Sequence, residues 1–486
     1  MLERYAWLYN LETVQGVRRA HAAAIDPAER ERLRRVYHYL LDGYVERQTA
    51  GAEDAVVTFE MNATVAVDGE EIAYYDLPAL LAEEPDFDRR DRLRAAALAV
   101  VERTNPDRLA IWRVRLATLA DDFGYADYTA YTGAKKGIAY GPLRARLAAF
   151  LARTEAAYTA RMGRWVEQAT GRRLGEIGGH HLAHLSRLPR YDAYFSAERL
   201  LEVYARTLAG LGLDPRTQRN IHLDIADRPL KHPRPICYVP DPPGEVHLVI
   251  KPQGGLEDYA AFLHEAGHAQ HYGNTDPALD YISRAIPTSF ALTEVYSFLL
   301  QFLTTSPAWL REVAGLPDEA AREVAYYTRL AQLAAVRRYA AKLAYELDFF
   351  ADPLDEARNR DLYRRTLTPA IGFSAPPQGY LDDLDPDLYT ADYLRAWLTE
   401  AMLRHHLERE YGESWFGRPA RAGRTRTSPG CSATRRSTRR TWLNSSSRSG
   451  MRAVRAGARG TWANKHRRYW PAVPAGRRGR LAYVGG

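Results

Sequence analysis

The segment His264-Glu265-Ala266-Gly267-His268 constrains the fold of this chain more than any other stretch. Residues four apart on a helix stand one above the other, so both imidazoles can reach a single ion about 2 Å from each ring nitrogen. Glu265 flanks the same face, where a base must sit to take a proton from a metal-bound water. The flanking residues predict a helix over 256–272. Gly254-Gly255 precede it, Glu257 and Asp258 occupy the first turn where the helix dipole favours anions, and Leu256, Tyr259, Leu263 and Ala266 form an apolar stripe. Residues 245–250 (EVHLVI) read as a short strand after the turn Asp241-Pro242-Pro243-Gly244. The competing reading is a solvated helix with stray histidines.

A catalytic zinc site takes three protein ligands and keeps one position open, so a third donor must come from another element. The best candidate is Glu294, within 287–303 (PTSFALTEVYSFLLQFL), a helix apolar nearly all round that Thr288 or Ser289 can cap. A lone carboxylate there would carry a large desolvation cost unless paired or metal-bound. The alternative is a glutamate meeting an arginine in the core. His271 is a weaker rival ligand, three residues past His268 and turned off its face.

Three features together resemble the thimet oligopeptidase, neurolysin and oligoendopeptidase F family of zinc metallopeptidases, of the HExxH-plus-Glu (gluzincin) type. They are the HExxH helix, a glutamate 26 residues beyond His268 in Thr293-Glu294-x-x-Ser297, and the tyrosine-rich segment 387–397 (DLYTADYLRAW). The resemblance implies a mainly α, two-lobed helical metallopeptidase with a deep central channel and a small β-hairpin or short sheet beside the zinc helix. It implies one Zn(2+) ion held by His264, His268 and Glu294, Glu265 as general base, and short peptides as substrates. Peptidyl dipeptidases of the angiotensin-converting type and thermostable carboxypeptidases share this zinc plan, so trimming from the carboxyl end is an alternative to internal cleavage. In the resembled family a Gly-Tyr-x-x-x-Tyr-Tyr stretch hydrogen-bonds the oxyanion, and Tyr389 and Tyr393 match it best. Their i, i+4 spacing puts both on one helical face. The family's third aromatic is Ala396 here, and a histidine it often carries is Leu384. Packing is the competing role for tyrosines in a chain that holds 31 of them.

The far end differs in kind. Residues 418–486 hold 18 Arg plus Lys and no Asp or Glu, whereas residues 1–417 carry 49 basic and 60 acidic residues, a net charge of −11. Three readings stand for this tail: a basic arm with Trp442, Trp462, Tyr469 and Trp470 that grips nucleic acid, a disordered appendage, or a segment read out of frame. Sixty-one arginines against six lysines fit G+C-rich coding and the third reading. Nucleic acid is accordingly an unfavoured partner.

Cys237 and Cys431 give no disulfide framework, the first residues lack the regions of a signal peptide, and no run of 18 apolar residues exists. A cytoplasmic protein that spans no membrane is expected. Helical patterning dominates, over 27–47, 89–102, 142–169, 197–211 and 319–350. The exception is a hairpin over 56–75, with strands at 56–59 and 71–75 around Asp68-Gly69. Gly178-Gly179-His180-His181 reads as a turn with solvated histidines, and Lys135-Lys136 as a surface pair. The Pro- and Gly-rich stretch 208–255 marks the expected lobe boundary and a rim of the cleft, which divides the chain into an N-terminal helical lobe (1–207), a catalytic lobe (208–417) and the tail. The contrasting function class is a catalytically inactive helical binding protein with a nucleic-acid-binding tail. Arg395 and Arg404 are candidates to capture a substrate carboxylate.

Overall fold

Long stretches of good helix formers make this a mainly helical protein. A computed structural model describes residues 5–417 apart from 227, 229–230 and 232–234, so all statements about the 418–486 tail, including Cys431 and the tail aromatics, lie outside the described residues. The first half comprises α1 (Leu11–Ala23), α2 (Pro27–Asn62), β1 (Thr64–Val67), β2 (Glu70–Ala73), α3 (Leu77–Glu83), α4 (Phe87–Phe123), α5 (Tyr128–Lys136), α6 (Tyr140–Thr170), α7 (His181–Ser186) and α8 (Leu200–Gly210). Three strands follow, β3 (Ile221–Asp224), β4 (Ile236–Asp241) and β5 (Glu245–Val249), then α9 (Leu256–Gly273), α10 (Tyr281–Ala285), α11 (Ala291–Gln301), α12 (Pro307–Glu312), α13 (Asp318–Ala351), α14 (Glu356–Ile371) and α15 (Tyr389–Tyr411). Among the described residues no helix is long and apolar enough to cross a membrane.

The hairpin exists, turning at Asp68 (φ 53°) and Gly69 (φ 83°), which both adopt the positive φ that a two-residue turn demands. Its first strand is Thr64–Val67, however, and residues 56–59 belong to α2. A helix started at Pro27, with Asp26 capping the Glu29 amide, propagates cheaply through Val56-Val57-Thr58, and burial of Val56 outweighs their β preference. Helix α4 likewise outruns its expected end and continues through Pro106 to Phe123.

Two apolar clusters dominate the interior. One joins the N-terminal helices to the later ones, with Leu41, Trp112 and Tyr131 against Phe298, Phe349, Tyr389 and Leu394. The other packs Leu200, Val203 and Leu208 of α8 with the β3–β5 sheet, α9 and α12. In that sheet β5 lies between β3, which runs parallel to it, and β4, which runs antiparallel. Cys237, Val239, Val246 and Leu248 are buried, while His222 and His247, paired across β3 and β5, alternate with them toward the outer face. α9 packs against β4 and β5, α11 against α9, and α15 against α11.

The approach of α9 to α11 depends on Gly267. A Cβ at this position would stand 2.5 Å from Ser297 Cα and 2.8 Å from Ser297 N, well inside van der Waals contact. Gly267→Ala should therefore force the two helices apart and destabilise the fold by about 1–3 kcal/mol, despite alanine's better helix propensity. Urea unfolding reads this directly, and an unchanged or raised midpoint would contradict the packing.

Two polar pairs expected at the surface are inside. Lys135 and Lys136 are both buried and ion-paired with Asp42, Asp387 and Asp392, because α5 lies beneath the start of α15. His181 is fully buried and stacked on Phe87, and both it and His180 meet Asp91. Burial pushes His180 down to about 4 and His38, buried between α2 and α5, down to about 3. Below the ordinary histidine value of 6.5 the unfolded chain binds protons at these two positions that the folded one does not, so this pair costs stability as the pH drops from about 6.5 to about 4, while buried carboxyls such as Glu346, pushed up to about 8, act in the opposite sense. The change in urea midpoint between pH 7 and pH 5, measured in the parent and in His38→Gln, tests this: a smaller loss in the variant is expected, and the same change in both would contradict it.

Candidate metal centre

The loop that delivers α9 is held by its own first turn. The Asp258 carboxylate accepts hydrogen bonds from the amides of Gln253 (2.9 Å) and Gly254 (3.0 Å), and Gly254 and Gly255 take φ values of 84° and 90°. The helix covers Leu256–Gly273, one residue longer than the sequence pattern predicts, and places His264, Glu265 and His268 on its buried side. Helix α11 begins at Ala291, whose amide donates to Ser289 Oγ (3.3 Å), and brings Glu294 up against both histidines.

His264 Nε2 lies 3.3 Å from Glu294 Oε2, and His268 Nε2 lies 3.6 Å from Glu294 Oε1. One ligand atom from each of the three residues falls within 4.8 Å of the others. The opposite ring nitrogens are engaged: His264 Nδ1 lies 2.9 Å from Gln301 Oε1, which can only accept, and His268 Nδ1 lies 2.7 Å from Thr293 Oγ1, a hydroxyl that can accept or donate. A proton on Nδ1, which the Gln301 oxygen requires at His264 and the Thr293 hydroxyl accommodates at His268, leaves each ring a lone pair on Nε2 toward Glu294, the arrangement in which histidine binds a metal.

Glu294 is fully buried. Its Oε1 accepts the Tyr389 hydroxyl (2.5 Å), while its Oε2 is buried and accepts no hydrogen bond. Burial drives its carboxyl well above the usual carboxylate range, with the Tyr389 hydrogen bond pulling the other way. No arginine pairs with it among the described residues; the groups facing it are two imidazole nitrogens and a phenol. Two neutral imidazoles and a carboxylate around one small space are the donors a divalent zinc ion takes, and a cation there would satisfy the orphaned oxygen. The residues present therefore fit a zinc ion.

Glu265 is held from another element. Its Oε2 accepts the backbone amide of Cys237 on β4 (2.7 Å), so the strand fixes the carboxylate beside the histidines without ligating the same point. Tyr389 stands in the site, and its hydroxyl donates to Glu294. Tyr393 packs edge-on to Tyr389 (5.0 Å between centroids) and is stacked on Trp397 (5.9 Å), within an aromatic cluster that includes Phe298. His271 is apart from the cluster, stacked on Tyr296 at 4.8 Å. Arg395 donates to Ser289 Oγ (3.2 Å) and Arg404 to Glu400 (2.8 Å).

A second group with metal-binding side chains, Asp91, His180 and His181, is of another kind. Arg90 Nε donates to His181 Nδ1 (2.9 Å), which puts the imidazole proton on Nε2 and makes that nitrogen a donor to Asp91 (2.9 Å). A metal at Nε2 would have to displace that proton beside a fixed guanidinium. The trio is a hydrogen-bonded tie between α4 and α7.

Sequence reasoning missed Thr293, Gln301 and Cys237. The first two had a signal: Gln301 is seven residues beyond Glu294 on an otherwise apolar helix, hence on the same face, and Thr293 adjoins the glutamate. Cys237 acts through its backbone amide, which leaves no mark in a sequence. Compared with protein-family models and with curated proteins, the chain matches none.

Proposed function

We propose that this chain is a zinc-dependent metallopeptidase that hydrolyses peptide bonds of oligopeptides, with His264, His268 and Glu294 as ligands and Glu265 as general base. The observation that carries the reading is the buried three-donor set with its histidine Nδ1 atoms engaged by Gln301 and Thr293, next to a separately held carboxylate. A zinc ion in that set supplies Lewis-acid chemistry, lowering the pKa of water toward ~7 and polarising a carbonyl. Glu265 takes a proton from the attacking water and returns it to the leaving amine, which requires a carboxylate that is fixed but not itself a ligand. The Cys237 amide keeps it so. Tyr389 holds the Glu294 carboxylate in place, and a swing of its hydroxyl from Glu294 to the substrate oxygen would provide an oxyanion donor of about 3 kcal/mol. A two-lobed body around a deep channel, short peptide substrates and a cytoplasmic setting belong to the same reading.

The test is cleavage of a mixed set of quenched peptides, some with blocked and some with free ends, by the zinc-loaded chain. Turnover abolished by a chelator and restored by zinc is expected. Cleavage of doubly blocked peptides would mark an endopeptidase, and dependence on a free carboxyl end a carboxypeptidase. No cleavage of any peptide with zinc bound would overturn the proposal.

A further inference from the structure

The turn that launches α15 is strained and doubly fastened. Asp387 (φ 61°) and Leu388 (φ 48°) both occupy the left-handed region, which side chains other than glycine's rarely adopt, and Tyr389 follows immediately. Strain of this kind persists only where the surroundings over-determine it. Here Lys135 Nζ reaches Asp387 (2.8 Å) and Asp42 (2.5 Å), the Asp387 amide donates to Tyr128 Oη (2.8 Å), and Lys136 Nζ donates to the Leu388 carbonyl (3.5 Å).

Lys136 does more than brace the turn. Its ammonium also pairs with Asp392 at 2.7 Å, with both side chains at most 1% exposed, and lies 5.9 Å from the centre of the Tyr389 ring. Asp392 in turn accepts the Phe290 amide (3.1 Å) and the Ser289 hydroxyl (2.8 Å) at the start of α11, the helix that carries Glu294. One buried ion pair thus ties α5 to the origins of the two helices that meet at the Tyr389–Glu294 hydrogen bond. A fully buried ion pair adds little stability over an apolar replacement, so its geometry is the better reason for it.

We propose that Lys136, acting through Asp392 and the Leu388 carbonyl, is a positioning residue of the metal centre that sets the Tyr389 hydroxyl on Glu294. The proposal rests on the zinc reading of the site. The test is a double-mutant cycle on the full chain, with cobalt(II) affinity read from its visible absorption at a temperature where each variant is folded. Tyr389→Phe should weaken cobalt binding roughly tenfold in the parent chain, the low end for losing a partner of a metal ligand, and less than twofold once Lys136→Met is present. Should Lys136→Met alone fail to fold, Lys136→Met with Asp392→Asn leaves no buried charge unpaired, Arg395, the other charged partner of Asp392, having a side chain 39% exposed, and the same loss of coupling is expected in that background. An equal factor in both backgrounds, or no effect of Tyr389→Phe in the parent, overturns the positioning role. A parent chain that takes up no cobalt overturns the metal reading and this role with it, an outcome distinct from equal factors.

Discussion

Glu265→Gln is expected to bind zinc as the parent chain does and to lose turnover by about 10²- to 10⁴-fold, the range for removing a general base. The amide is isosteric with the carboxylate and can still accept the Cys237 amide hydrogen, so neither α9 nor β4 needs to shift. Glu265 contributes no atom to the three-residue donor set, which leaves zinc affinity alone. What disappears is a group able to take a proton from water. Zinc content and peptide turnover measured on the same preparation check both halves, and full activity in Glu265→Gln would remove the residue from the mechanism.

The second large effect concerns Glu294 and has opposite signs for metal and for fold. Glu294→Gln exchanges the only anionic donor of the set for a neutral one, and zinc affinity should fall at least a hundredfold. In the metal-free chain the same change removes a carboxylate that burial strongly disfavours, while an amide oxygen still accepts the Tyr389 hydroxyl. The metal-free variant should therefore be at least as stable as the metal-free parent. Zinc raises the melting temperature of a protein by binding the folded state, so the parent should show a zinc-dependent rise that Glu294→Gln lacks. A zinc-independent drop in stability would instead mean that Glu294 serves only the packing of α11.

The helix of the two histidines was legible because its signals are local: glycines before it, acids in its first turn, an apolar stripe along it. Glu294 was legible because a charge on an otherwise apolar helix needs a reason. The lysine pair was not, since Lys136 finds Asp392 256 residues away and Lys135 finds Asp42 across 93. Nothing within a window around Lys135-Lys136 separates a solvated pair from a buried one. His180 and His181 failed for the same reason, their partner Asp91 lying on α4 some 90 residues earlier. The first hairpin strand was misplaced because β-branched residues at 56–58 sit at the end of a helix that began 29 residues before them, and propagation overrode propensity. The Tyr389 hydroxyl illustrates a further limit: its i, i+4 relation to Tyr393 places both on one face but does not say that the Glu294 carboxylate will claim one of them.

His264, His268 and Glu294 are expected to bind one zinc ion. Crystals of the zinc-loaded chain measured on both sides of the zinc absorption edge test it most directly. One anomalous peak is expected about 2 Å from the Nε2 atoms of His264 and His268 and from a carboxylate oxygen of Glu294. Its absence there, or a peak at Asp91, His180 and His181 instead, would contradict it.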